Sequence, residues 1–450
     1  MSNSNSESIR TQVCVIGGGS GGIGTALAAA RTGADVVLLE RESILGGTST
    51  MAWVHTWEPS VGGDGIPREL YEEMKNDPLA VTFADYEEGA SRQGPTPGSR
   101  EGGGHGLPFE PYALNRAARQ MLDATEHCQV LLDTTFYRAH LRDDTLSAVE
   151  AWYHGRHLLV QAKVFVDCTA DADVCVDAGC EYHVGEDPYD RYEEPSAPAH
   201  AERNLNGCTL VYRVTNTGLS RKPCKPQGLK RKKEWGGVHI VVMPNGDHLM
   251  NAVDMIEGDT LLHTENSQLM RDAHLLVLDN WHYLQSLPPG RSRWNRYAGP
   301  EGYATWAISG IAPRLGIRES RRILGDYVLT EHDCQAGLVR QSHEDMIAIT
   351  DHAVDIHGSR HRLYELPNGA YGVPYRCLLP RGAQNLMIAS RAASFSHIAA
   401  SSCRLSRTMM TLGQAAGTAA ALCVQHHIVP RQVAIDELQA SLQAQNVAIS

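Results

Sequence analysis

Residues Gly17-Gly18-Gly19-Ser20-Gly21-Gly22 space three glycines as G-x-G-x-x-G, a pattern whose backbone can close on a pyrophosphate. In that chemistry Gly17 permits a tight turn, Gly19 lets the phosphates approach the chain, and Gly22 lets the following helix lie close on the strand. Ser20 and Gly21 complete the phosphate-binding turn. Glu40 stands 40 minus 22, or 18, residues past the last glycine, where a carboxylate would accept hydrogen bonds from the ribose hydroxyls of an adenine dinucleotide. Arg41 follows it. A second charged group, Arg318, Glu319, Arg321 and Arg322, reads in two ways. One arginine, Arg321 for choice, could take a substrate carboxylate or phosphate as a bidentate partner, or the group could be a buried salt-bridge network. Histidine suits proton transfer near neutral pH, but 21 histidines are too many for composition to choose among.

The glycine pattern carries this chemistry only between a strand and a helix. Residues 12–16 read as a short buried strand, 25–31 as an Ala-rich helix closed by Gly33, and 35–39 as a second apolar strand ending at Glu40. Farther on, a strand at 162–166 runs into Asp167-Cys168-Thr169-Ala170-Asp171-Ala172-Asp173. Asn385-Leu386-Met387-Ile388-Ala389-Ser390-Arg391 precedes a small-residue helix at 408–422. With Gly46-Gly47-Thr48, Leu315 through Arg322, Asp355-Ile356-His357 and Tyr371 through Arg376, these segments resemble a known family. It is that of the FAD-dependent oxidoreductases of the glutathione-reductase structural class, in the branch without a nicotinamide domain that includes relatives of the heterodisulfide reductase flavin subunit. The resemblance covers nearly the whole chain.

The resemblance implies FAD, with Gly17 to Gly22 on the pyrophosphate and Glu40 and Arg41 at the adenosine ribose. Gly46, Gly47, Thr48 and Ser49 would hold the middle of the cofactor; Cys168, Thr169 and Ala170 form the loop on its adenine side, with the Phe136 backbone a further adenine contact. Ser390 and Arg391 would close the pyrophosphate site, and the helix beginning near Thr408 and Met409 would aim its N-terminal amides at the flavin O2. A helix N-terminus stabilises the negative charge that a reduced flavin develops there. His397, between Arg391 and that helix, is the first candidate for the catalytic base, and His357 the second. His55, which follows the second glycine pair between Trp53 and Trp57, could touch substrate or attach covalently to the flavin. Tyr375 could orient a substrate oxygen. The chain departs from the family at Ala170 and Ala172, where glycines are usual, and at Ser49 and Val54, where disulfide reductases carry cysteines. No redox disulfide is therefore expected at the flavin, and no second strand-linked fingerprint for NAD(P)H occurs. Gly102-Gly103-Gly104-His105-Gly106 follows Pro95 and Pro97 and reads as a surface loop.

The expected fold is α/β: a Rossmann-like FAD-binding domain of glutathione-reductase type, with a β-meander over 140–166, and a second α+β substrate domain. The boundaries read as 9–180 and 370–450 for the discontinuous first domain and 181–369 for the second. Within them a helix is expected at 111–126 and a strand at 129–137; strands follow at 209–214 and 238–243, and helical runs at 263–286 and 319–324. Lys and Arg number 40 against 52 Asp and Glu, a formal charge of −12, which disfavours nucleic acid and anionic membranes as partners. The one dense basic cluster, Arg221 through Lys233, contains Pro223, Pro226 and Gly228 and suits a solvated loop. No window approaches the roughly 20 apolar residues of a spanning helix, and residues 1–10 make no secretory signal. A cytoplasmic enzyme of a small-molecule substrate is expected, with homo-oligomerisation left open. Eleven cysteines without one C-x-x-C argue for buried thiols rather than a disulfide framework or metal site.

Overall fold

The computed structural model describes residues 6–57, 61–83, 107–220, 222, 238–252, 256–262, 266–288, 298, 301–358 and 362–450. The Gly102 to Gly106 loop and the basic cluster, apart from Lys222, lie outside the described residues.

Short runs of Val, Ile and Leu that are buried on both faces make parallel strands. Four such runs and the partly exposed Cys128–Leu131 form one sheet in the order Leu386–Ile388, Val164–Asp167, Val13–Ile16, Val36–Leu39 and Cys128–Leu131, every neighbouring pair parallel. Counted along the chain this is fifth, fourth, first, second, third. The direction of strand order therefore reverses between Val13–Ile16 and Val164–Asp167, and such a reversal opens a crevice at the carboxyl ends where ligands bind. Gly17 and Cys168 are the first residues past those two ends.

The Ser20–Arg31 helix packs against the Ser406–His426 helix with backbone on backbone. A Cβ on Gly413 would lie 2.0 Å from the Gly21 carbonyl oxygen, and one on Gly417 would lie 2.1 Å from that of Thr25. Small residues thus let the C-terminal helix reach the glycine turn. The meander comprises Thr134–Arg142, Thr145–Tyr153 and Arg156–Gln161, antiparallel in sequence. Ser6–Arg10 adds to its edge in parallel. The single strand expected at 129–137 is two strands in two sheets, because Asp133 takes a left-handed turn (φ 52°) between them.

A second, antiparallel sheet has the order Val238–Val242, His248–Ala252, Tyr212–Asn216 and Trp306–Ile311. With the Asn266–Ser286 helix it builds a separate apolar cluster, Cys208 to Ala312, around Tyr212, Trp281, Tyr303 and Trp306. Ile323, Leu329, Ile347 and Ala348 pack into the first cluster instead. The helix expected at 319–324 is a strand, Arg321–Ile323, antiparallel to Tyr182–Val184. Arginines at helical spacing suggested one face; in an extended chain Arg321 and Arg322 point to opposite sides. Among the described residues no helix is long and apolar enough to cross a membrane, and no His, Cys, Asp and Glu group could hold a metal ion.

Candidate functional site

Gly17 adopts φ +103°, and a Cβ there would lie 2.5 Å from the Cys168 carbonyl oxygen, so only glycine fits this turn. Gly22 is as constrained, its Cβ position being 1.8 Å from the Gly17 oxygen. Gly19 is different: a Cβ would meet nothing closer than the Gly47 Cα at 3.9 Å. Its glycine is not demanded by protein packing, which is the property of a cradle that a pyrophosphate would fill. The second turn, with Gly46 at φ +109° and Gly47 at φ +52°, docks on the first when the Gly46 N–H donates to the Gly18 carbonyl at 2.8 Å. Glu40 is buried at the end of its strand and accepts from Gly18 N–H at 2.5 Å and Glu42 N–H at 2.8 Å. Burial raises its pKa and the two amides oppose that. A carboxylate has about four acceptor positions, so two remain for ribose hydroxyls.

The residues expected beside these turns converge on them. Ser49 Oγ donates to Ser406 Oγ at 3.2 Å, which joins the Thr48–Met51 segment to the C-terminal helix. That helix starts at Ser406, two residues before Thr408; the Met409 N–H makes its first internal bond, to the Leu405 carbonyl. The amides of Ser406, Arg407 and Thr408 precede it and form the positive end of the helix. Thr408 Oγ1 itself donates to Thr350. Thr169 is fixed through its amide and hydroxyl to Asp167 Oδ1, at 2.9 and 2.6 Å. Ala172 occupies the left-handed region (φ 56°), a conformation that favours the glycine it replaces, whereas Ala170 does not. Arg391 donates to Asp171 at 2.8 Å, while its buried Nε has no partner. Ser390 is buried and its Oγ accepts from Ala392 N–H. The Cys168 thiol is enclosed against Thr25. On the ribose side, Thr134 N–H donates to the Glu40 carbonyl at 2.8 Å, two residues before Phe136, and Arg41 is largely exposed beside Glu42.

His397 opens the His397–Cys403 helix and is 1% exposed. Its Nδ1 lies 2.9 Å from the Glu319 carboxylate, and its Nε2 is buried without a partner. Glu319 also accepts from Arg322, from Asn206 N–H at 3.0 Å and from Asn206 Nδ2 at 2.8 Å. Burial alone would push its pKa up, but His397 and Arg322 outweigh it and hold the carboxyl at about 2. Facing the ionised Glu319, Nδ1 is the donor of this pair, and in the neutral imidazole Nε2 is then the acceptor. Asn206 ties in the second histidine, accepting from His357 N–H at 2.9 Å; His357 Nε2 stands 2.7 Å from Asp355. Asn206 and the pairing of Glu319 with His397 were not legible in sequence, since these residues are 113 and 78 positions from Glu319.

Two expectations change. The Tyr375 hydroxyl, expected to orient substrate, is buried and donates to the Pro430 carbonyl at 3.0 Å. Arg321 pairs with Asp173, and Arg322 takes the buried network role, bridging Glu319 and Asp187. His55 is buried edge-on to Phe109, burial lowers its pKa to about 3, and its Nδ1 is enclosed without a partner. An open groove of ≈ 990 Å³ bordered by Arg31, Arg68 and Glu72 contains none of the candidate residues.

The profile of the FAD-dependent oxidoreductases matches residues 12–442, and the chain belongs to that family. Its cofactor is FAD, which the facing glycine turns, Glu40 and the open cradle at Gly19 fit. No curated protein matches the chain by sequence. Solved structures include a geranylgeranyl bacteriochlorophyll reductase-like protein from Thermoplasma acidophilum, 12% identical over 98% of this chain and 83% of that one, at TM-score 0.49. The myxobacterial chondrochloren halogenase, an FAD-dependent halogenase, is 15% identical over 96% and 78%, also at 0.49. A p-nitrophenol 4-monooxygenase from Pseudomonas putida is 12% identical over 97% and 81%, at 0.42.

Proposed function

We propose that this enzyme oxidises a small organic molecule, with His397 as the base that takes the O–H or N–H proton released as the substrate C–H is oxidised. FAD, when bound, supplies the hydride acceptor at N5. The backbone at Gly19 and Gly47 would hold its pyrophosphate, Glu40 its ribose, and the 169–170 loop with the Phe136 backbone its adenine. Arg391 would close over the phosphates, and the amides of residues 406–408 would face the flavin O2. The glutathione-reductase type of cofactor domain is part of this reading; the meander inserted between the third and fourth parallel strands and the carboxylate at Glu40 support it. So is the division into a cofactor unit at 9–180 and 370–450 and a substrate unit at 181–369, which the separate Cys208 to Ala312 cluster supports.

The observation that carries the base assignment is the unpartnered Nε2 of His397. Buried polar atoms find partners, so a group left open is a place for a bound molecule. Glu319 fixes the tautomer and orientation of the ring, as an orienting carboxylate does for a catalytic imidazole. His397→Gln keeps a donor toward Glu319 and removes the base. It should retain FAD and slow reduction by substrate about 10²- to 10⁴-fold, an effect eased at high pH. Stopped-flow reduction of the purified holoenzyme reads it. If His357→Gln slows reduction and His397→Gln does not, the base is His357; if both match the parent, neither histidine serves.

A further inference from the structure

The chain enters the His397–Cys403 helix with each of three successive residues held by a charged side chain. The Phe395 carbonyl accepts from Arg322 Nε at 3.1 Å. The Ser396 hydroxyl, which caps the helix by accepting from Ala399 N–H at 3.1 Å, donates to the Glu194 carboxylate. The His397 N–H donates to Asp187 Oδ2 at 2.9 Å, while its ring is held at Nδ1 by Glu319. Arg322 joins the two carboxylates that hold the histidine: Nη1 donates to Glu319, and Nη2 to Asp187 and to the Gly185 carbonyl, each at 2.8 Å. The side chains of Asp187, Glu319, Arg322 and His397 are each 1–2% exposed. Asp187 and Glu194 belong to one stretch of chain, 210 and 202 positions before the residues they hold.

Glu319 fixes a single atom of the imidazole. The direction of Nε2 depends on two points, Nδ1 and the backbone from which the ring hangs, and Asp187 holds the second. Burial would raise the Asp187 pKa, but Arg322, His183, the His397 N–H and Arg191 together hold it well below the ordinary carboxylate value. An ionised acceptor makes the stronger hydrogen bond. Nor can Asp187 turn away, because its other oxygen accepts from Arg191 at 2.8 Å and lies 3.3 Å from His183 Nδ1.

We propose that Asp187 is a positioning residue for His397, holding its main chain directly and its ring through Arg322 and Glu319, so that Nε2 stays aimed at the substrate. The inference rests on the reading of His397 as the base. A group displaced by about 1 Å can lose about 10²-fold in rate, so the contact at the backbone acts on chemistry as well as on stability.

Stopped-flow reduction of the holoenzyme tests this. Asp187→Ala should keep FAD and lower the limiting rate of flavin reduction about 10- to 100-fold, with the half-saturating substrate concentration unchanged. Asp187→Asn, whose amide oxygen can take the same N–H, should restore the rate to within a few-fold of the parent. NMR of holoenzyme carrying isotope-labelled histidine gives a readout apart from turnover. The Nδ1 proton of His397, identified by its loss in His397→Gln, should be protected from solvent in the parent and in Asp187→Asn, and should exchange in Asp187→Ala. A buried arginine stripped of one partner can prevent folding, whereas an ion pair replaced as a unit by apolar residues is tolerated. Asp187→Leu combined with Arg322→Met is therefore the second variant, and it should behave as Asp187→Ala does. Parent-like reduction and a protected Nδ1 proton in these variants would overturn the proposal, as would an Asp187→Asn enzyme no faster than Asp187→Ala. If His397→Gln is reduced like the parent, the base reading fails, and the Nδ1 signal still decides whether Asp187 positions the ring.

Discussion

At Gly19 the protein leaves room for a side chain that it does not supply, 3.9 Å being the nearest approach of any atom. Gly19→Val should therefore fold, with apo stability within about 0.5 kcal/mol of the parent. FAD should be lost on gel filtration, and a variant that keeps stoichiometric flavin would move the pyrophosphate elsewhere. Glu319 gives a pH dependence of definite sign. Its folded pKa, about 2, is below the unfolded carboxylate value of about 4.3, so its contribution is present above 4.3 and is lost as pH falls toward 2. Glu319→Gln should cost about 3–5 kcal/mol at neutral pH by leaving buried Arg322 with a charged partner fewer. It should also flatten the loss of melting temperature below pH 4.3, and an unchanged acid limb would place that sensitivity in other groups. The local spacing that sets Gly17, Gly19 and the Glu40 carboxylate at the strand ends was legible in sequence. The partners of His397 and Tyr375 were not, because tertiary contact alone brings Glu319 and Pro430 to them.

Between elements, the contact that matters most is the crossing of Ser20–Arg31 with Ser406–His426, which carries the amides of residues 406–408 to the glycine turns. Its closeness depends on missing side chains, since a methyl at Gly413 would overlap the Gly21 carbonyl. Backbone cannot yield as a flexible side chain can, so Gly413→Ala should destabilise by about 1–3 kcal/mol and loosen FAD as well. Denaturant unfolding of the apo and holo forms checks this; unchanged stability would mean that the helices can separate without cost. Both helices and three strands of the parallel sheet, Val13–Ile16, Val36–Leu39 and Val164–Asp167, were readable from pattern. The Arg321–Ile323 strand was misread because charged residues at three-residue spacing mimic a helix, and its partner, Tyr182–Val184, is remote in sequence. The break at Asp133 was missed because a left-handed aspartate has no pattern of its own.

In the whole molecule, a parallel sheet with its strand order reversing beside Gly17 sits next to an antiparallel sheet with its own aromatic core. The first arrangement offers a crevice beside Gly17 for the dinucleotide; the second has no counterpart in the fingerprint, so the substrate was beyond what spacing could reveal. The chain has one strand-linked G-x-G-x-x-G, and Ser49 and Val54 stand where a cysteine pair would relay electrons from NAD(P)H. In the proposed function electrons enter from the organic substrate. The decisive measurement is anaerobic stopped flow on the purified yellow holoenzyme, mixed separately with NADPH, NADH and a panel of small alcohols, amines and hydroxy acids. The account predicts that a member of the panel bleaches the flavin's visible band without pyridine nucleotide, and that NADPH and NADH do so only slowly. Rapid stoichiometric bleaching by NADPH or NADH, with no organic substrate able to replace it, would contradict the account and make the protein a reductase or monooxygenase fed by an external donor.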